Sequence, residues 1–144
     1  MIEQRMIEAL RIISRRLEGR KVSWVLVGST SLALQGVDIA PKDIDILTDK
    51  KGAFRINELL KEYEVRAVEF ESSELFQSYF GKFAVEGVDV EVMGELKERL
   101  ANEWVPMSER LRAPKIVEIE GLRIPVSSLQ EQLESYQRSV RGKD

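Results

Sequence analysis

The sequence predicts an α+β fold, a mixed sheet with helices packed on it, and three observations lead there. Short runs rich in β-branched residues, VSWVLV at 22–27 and DIDILT at 43–48, alternate with segments whose apolar residues recur every three or four positions. Residues 82–93, KFAVEGVDVEVM, read as two alternating strands folded about Glu86-Gly87. A second pair, KIVEIEGLRIPV at 115–126, turns at Glu120-Gly121.

Each element has its own signal. Ile2, Met6, Ala9, Leu10, Ile13 and Leu17 form one apolar face of an opening helix, with Gly19 as its stop. The run from Val22 to Val27 is apolar on both faces, as a buried strand requires, and Gly28 ends it. Ser29 is placed to cap a short helix, SLALQ, closed by Gly36, and Pro41 breaks the loop that follows. Asp43 to Thr48 reads as the next strand. Ala53 to Tyr63 has helical spacing, and Glu64 to Phe70 alternates as a strand. Residues 95–112 are charged and carry no clear period, and a last helix is expected from about Ser127 to Val140. With 144 residues and no repeat or linker, the chain is expected to form a single domain, 1–144.

Composition narrows the chemistry. The absence of both cysteine and histidine removes disulfides, thiol nucleophiles, histidine-based triads and the usual zinc ligands. Any bound metal must be held by oxygen, which favours magnesium or manganese. A net charge of −3, with 22 basic and 25 acidic residues interspersed, argues against a non-specific nucleic-acid binder. The N-terminal residues lack a signal-peptide pattern and no apolar run is long enough to span a bilayer, so a cytoplasmic location and no membrane partner are expected.

The informative stretch is VLVGSTSLALQGVDIAPKDIDIL. A buried strand delivers Gly28, which lets a phosphate approach the main chain, and Ser29 adds a hydroxyl and an N–H at the start of a helix. After thirteen intervening residues come Asp43 and Asp45, two apart on a strand and therefore on one face, with Ile44 and Ile46 on the other. Two carboxylates so spaced suit a pair of divalent cations on a polyphosphate. A third acid would complete the set, and in VDVEVM both Asp89 and Glu91 leave the same face, so parity alone leaves either open. Lys42, Arg112, Lys115, Arg141 and Lys143 are further candidates for phosphate contact, weighed against ordinary surface positions, and Trp24 and Trp104 read as packing residues.

These residues resemble the nucleotidyltransferase superfamily, which includes DNA polymerase beta and the aminoglycoside and lincosamide adenylyltransferases. The shared pattern is a hydrophobic strand, Gly-Gly or Gly-Ser, about ten residues, an Asp-x-Asp or Asp-x-Glu between hydrophobics, and a later acid on a strand. Here it falls on Gly28-Ser29, Asp43-Ile44-Asp45 and Glu91. The stretches "GS…ALQG", "DIDI" and "VE-x-MG" are also similar to small nucleotidyltransferase-like proteins of thermophilic prokaryotes, and this likeness favours Glu91 over Asp89.

The resemblance implies a nucleotidyltransferase fold and magnesium-dependent transfer of a nucleotidyl group from a nucleoside triphosphate to a hydroxyl, with pyrophosphate leaving. Asp43, Asp45 and Glu91 would be the catalytic and metal-binding residues, with Gly28 and Ser29 at the β and γ phosphates. The acceptor, a small molecule, RNA or protein, is left open. The alternative is a nucleotide-binding regulatory or toxin–antitoxin protein of the same fold with weak or no catalysis. A homodimer or a partner protein is compatible with either.

Overall fold

The computed structural model describes residues 2–133. Helix α1 (Gln4–Leu17) leads into strand β1 (Trp24–Val27), helix α2 (Gly28–Leu34), strand β2 (Ile44–Thr48) and helix α3 (Lys50–Leu59). Strands β3 (Glu64–Ser72), β4 (Phe76–Val85) and β5 (Val88–Leu100) form a meander, followed by β6 (Glu103–Pro106), β7 (Lys115–Ile119) and β8 (Leu122–Val126). A helix beginning at residue 129 continues to the end of the described residues, and the remainder of the helix expected to Val140 lies outside them.

All eight strands join one mixed sheet in the order β3-β4-β5-β2-β1-β8-β7, with β6 on the far half of β5. β2 is central, antiparallel to β1 and parallel to β5. The parity of β2 and β5 divides the core. Ile44, Ile46, Val90 and Val92 point to the face that α1 and α3 cover, where Leu10, Ile13, Ile56 and Phe83 pack with them. Val25, Val27 and Leu47 form a smaller cluster on the other face, against Met93, Leu96 and Leu111.

Gly94 lets α3 lie close on the sheet: a Cβ there would fall 2.6 Å from Ala53 Cβ and 2.8 Å from the Asp49 carbonyl oxygen. Asp49 caps α3, its carboxylate accepting from Gly52 N at 2.6 Å. At the surface, Arg16 of α1 donates to Leu59 O at 2.8 Å and to both oxygens of Glu62, tying α1 to the end of α3.

Three local expectations are corrected. Ser29 is not a cap, because α2 begins at Gly28 with Val27 in the capping position. The helix expected from Ala53 starts earlier, at Lys50, because Asp49 supplies its cap. Asp43 lies just before β2 rather than within it. Pairing with β1 ends at Val27–Asp45 and pairing with β5 starts at Ile44–Val90, so no ladder reaches Asp43.

Candidate active site

The turn from β1 into α2 is built around Gly28, whose φ of +77° lies in the left-handed region that side chains disfavour. Space gives a second reason for glycine here, since a Cβ would come 2.5 Å from Asp45 Oδ2. The Asp45 carboxylate therefore lies against the Gly28 main chain. Thr30, fully buried in α2, donates through Oγ1 to the Asp43 carbonyl oxygen at 2.5 Å. That bond fixes the residue the sheet leaves unpaired.

Glu91 comes from β5, whose parallel register places it directly beside Asp45. Its neighbours Val90 and Val92 are fully buried on the helix-bearing face, so Glu91 leaves the sheet on the same side as Asp45. Asp89, two residues earlier, is exposed at the strand's start and is in register with Ala84 on β4. Asp43, Asp45 and Glu91 thus meet at one end of β2, next to the Gly28 turn.

The electrostatics record that meeting. The Asp45 carboxyl is pushed up to about 7, first by burial, then by the negative charges of Asp43 and Glu91, and by a hydrogen bond with Glu91. Three acids crowd a half-buried position, with the exposed Lys82, in register with Glu91 on β4, as the neighbouring cation. The three do not close into a ready cage: among the described residues no set of three or more Asp or Glu is arranged to hold a metal by itself. An open set of oxygen donors suits a magnesium-like ion, which is commonly held by one or two carboxylates together with substrate phosphates and water.

The Gly28 N–H is already engaged. It donates to Gln132 Oε1 at 3.1 Å, while Gln132 Nε2 donates to Ser31 Oγ at 3.0 Å and Ser127 O at 3.0 Å. Gln35 Nε2 reaches the same Ser127 carbonyl at 2.9 Å. A polar network from the chain's last described residues therefore backs the turn. Neither Thr30 nor Gln132 stood out in the sequence, since a threonine in a short helix and a glutamine a hundred residues away carry no spacing signal.

Of the remaining candidates, Lys42 is exposed beside Pro41, and Arg112 and Lys115 are exposed near β7. Trp24 packs against the main core and Trp104 is half-buried in β6. Arg141 and Lys143 lie outside the described residues. No described helix is long and apolar enough to cross a membrane.

Comparison with known proteins agrees with this fold. The model of the aminoglycoside-2''-adenylyltransferase family matches residues 9–144. A crystal structure from Thermotoga maritima, TM1012, described as a candidate nucleotidyltransferase, is 38% identical, with a TM-score of 0.93 over 99% of this chain and 89% of that one. The fold is shared with ANT(2'')-Ia solved with adenylyl-2''-tobramycin, at 11% identity and TM-score 0.59 over 92% of this chain and 74% of that one. It is shared too with the lincosamide antibiotic adenylyltransferase LnuA bound to lincomycin, at 16% identity and TM-score 0.59 over 92% and 85%. No curated protein matches the sequence. A family match over nearly the whole chain and a close structural relative lead to one conclusion: the chain belongs to the aminoglycoside-2''-adenylyltransferase family, within the nucleotidyltransferase superfamily of transferases.

Proposed function

We propose that the chain moves a nucleotidyl group from a nucleoside triphosphate to an acceptor hydroxyl, with Asp43, Asp45 and Glu91 holding divalent cations. The observation that carries this reading is the crowding of Asp45 by two further carboxylates against the Gly28 main chain. When bound, magnesium or manganese supplies charge neutralisation and Lewis acidity on the polyphosphate.

The chain's own residues do the rest. The Ser29 hydroxyl and main-chain N–H, at the opening of α2, meet the terminal phosphates, while the absent side chain at Gly28 leaves room for them. Contact through the Gly28 N–H requires Gln132 to release it. Thr30 holds the Asp43 backbone so that its carboxylate stays beside Asp45. In the reaction the acceptor oxygen bonds to the α-phosphorus as the bond to the departing pyrophosphate breaks. Glu91, hydrogen-bonded to Asp45, receives the hydroxyl proton and passes it to solvent.

Hydroxyl-rich antibiotics are the first acceptors to test, since ANT(2'')-Ia was solved with adenylylated tobramycin and LnuA with lincomycin. The experiment is incubation with each α-labelled nucleoside triphosphate, magnesium, and an aminoglycoside, a lincosamide or a cell extract. Labelled product that is lost in Asp45→Asn supports the reading. Absence of transfer to any acceptor, at nucleotide concentrations that saturate binding, contradicts it.

A further inference from the structure

A cavity lies away from this site. It has a volume of about 700 Å³ and sits between the residues that lead into β1 and the first two turns of α3. Asp45 and this cavity are at opposite ends of β2, with Asp49 on the order of 13 Å beyond Asp45 along the strand. They also open on opposite faces, since α3 covers the face that Ile44 and Ile46 occupy. One nucleotide cannot occupy both.

The cavity is strongly basic in a chain whose net charge is −3. Arg20, Lys21, Lys50, Lys51 and Arg55 line it, against only Asp49 and Glu58. Both acids are committed: Asp49 caps Gly52 N at 2.6 Å, and Glu58 pairs with Arg55 at 2.9 Å. Arg20, Lys21 and Lys51 have no partner among the described residues, and the Lys50 ammonium rests 4.8 Å from the centre of the Tyr79 ring. Like charges gathered round a concavity repel one another, and a bound anion would remove that cost. α3 adds to the field, having two lysines and no acid in its first turn, where the helix dipole favours negative charge.

One wall is apolar. Phe54, 41% exposed and packed 5.7 Å from the Tyr79 ring, lines it together with Val22. Cations beside an accessible ring describe a ligand with several negative charges and a flat or apolar body. The cations gather round one open concavity rather than running in a stripe, which favours a small molecule over a nucleic-acid strand.

We propose that this cavity binds a small, multiply phosphorylated ring compound of the nucleoside-diphosphate type, at a site separate from Asp43, Asp45 and Glu91.

The test uses ADP and inorganic pyrophosphate as probes, titrated calorimetrically at low ionic strength in EDTA, where the divalent-cation site is silent. Wild type is expected to bind both. The Lys50→Glu, Lys51→Glu double variant should weaken both by about tenfold or more, a loss of at least about one order of magnitude in Kd. That variant places acids at a helix N-terminus, so the fold should hold, with an unchanged melting curve as the check. Phe54→Ala should weaken ADP and leave pyrophosphate unchanged. Asp43→Asn with Asp45→Asn should leave both intact, which separates this site from the proposed catalytic one. No binding in EDTA, or binding indifferent to the lysine reversals, overturns the proposal. So does a single-stranded RNA that displaces ADP at far lower concentration, since it would make the cavity part of a nucleic-acid track.

Discussion

The Asp45 carboxylate occupies the place a side chain on Gly28 would need, with Oδ2 only 2.5 Å from where a Cβ would sit. The turn and the carboxylate are therefore one unit, and a change at either is felt by the other. Gly28→Ala combines this clash with a backbone φ of +77°. It should cost roughly 1–3 kcal/mol in stability and displace Asp45. Chemical denaturation together with nucleotidyl transfer checks both; a fully active, fully stable alanine variant would separate the turn from the site.

Asp45 also sets a pH dependence of stability. Its carboxyl titrates near 7 in the fold against 3.8 ordinarily, so between those values the folded chain holds a proton that the unfolded chain has released. Stability without divalent cation should therefore fall as pH rises from about 4 to 7 and level off above, by at most about 4 kcal/mol. Asp45→Asn removes the buried charge, and should raise the melting temperature at pH 8 while changing it little at pH 4. Melting curves at the two values, in EDTA, show whether the difference has this sign.

Glu91 and Asp89 are told apart by position. Glu91 stands in register with Asp45, whereas Asp89 is exposed and two residues earlier on β5. Glu91→Gln should lower transfer by about 100-fold or more. Asp89→Asn should stay within a few-fold of wild type, and steady-state rates for the pair decide the assignment.

Thr30 acts through Asp43. Thr30→Val keeps the shape but removes the hydroxyl that holds the Asp43 carbonyl oxygen, costing about 1–2 kcal/mol in stability. A raised metal requirement should accompany the loss, and Thr30→Ser should restore both. Were Thr30 only a core residue, valine would lower the melting temperature without altering the metal dependence.

How much of this was legible beforehand follows from which interactions are local. Strand parity placed Ile44 and Ile46 inward, and Val88, Val90 and Val92 likewise, so the orientation of Asp45 and Glu91 followed from alternation alone. Both hairpins were legible because Glu86-Gly87 and Glu120-Gly121 adopt the positive φ values their turns need. The segment from 95 to 112 was not, because β5 runs on to Leu100 and pairs with β6 through charged residues such as Glu98 and Lys97, which carry no apolar period. The contacts that complete the site, Thr30 to Asp43 and Gln132 to Gly28, span 13 and 104 positions and depend on how α2 meets the sheet. The basic cavity likewise joins residues 20–22 to 49–58, segments that meet only because β1 and β2 pair antiparallel.

Whether these carboxylates act as a cation site is decided by titrating manganese, followed by electron paramagnetic resonance, with and without a non-hydrolysable ATP analogue. Wild type should take up manganese weakly alone and at least about tenfold more tightly with the nucleotide, whose phosphates complete the open coordination. Asp45→Asn should abolish that gain. Equal manganese uptake by wild type and Asp45→Asn, with the analogue present, would show that the cluster beside Gly28 holds no catalytic cation.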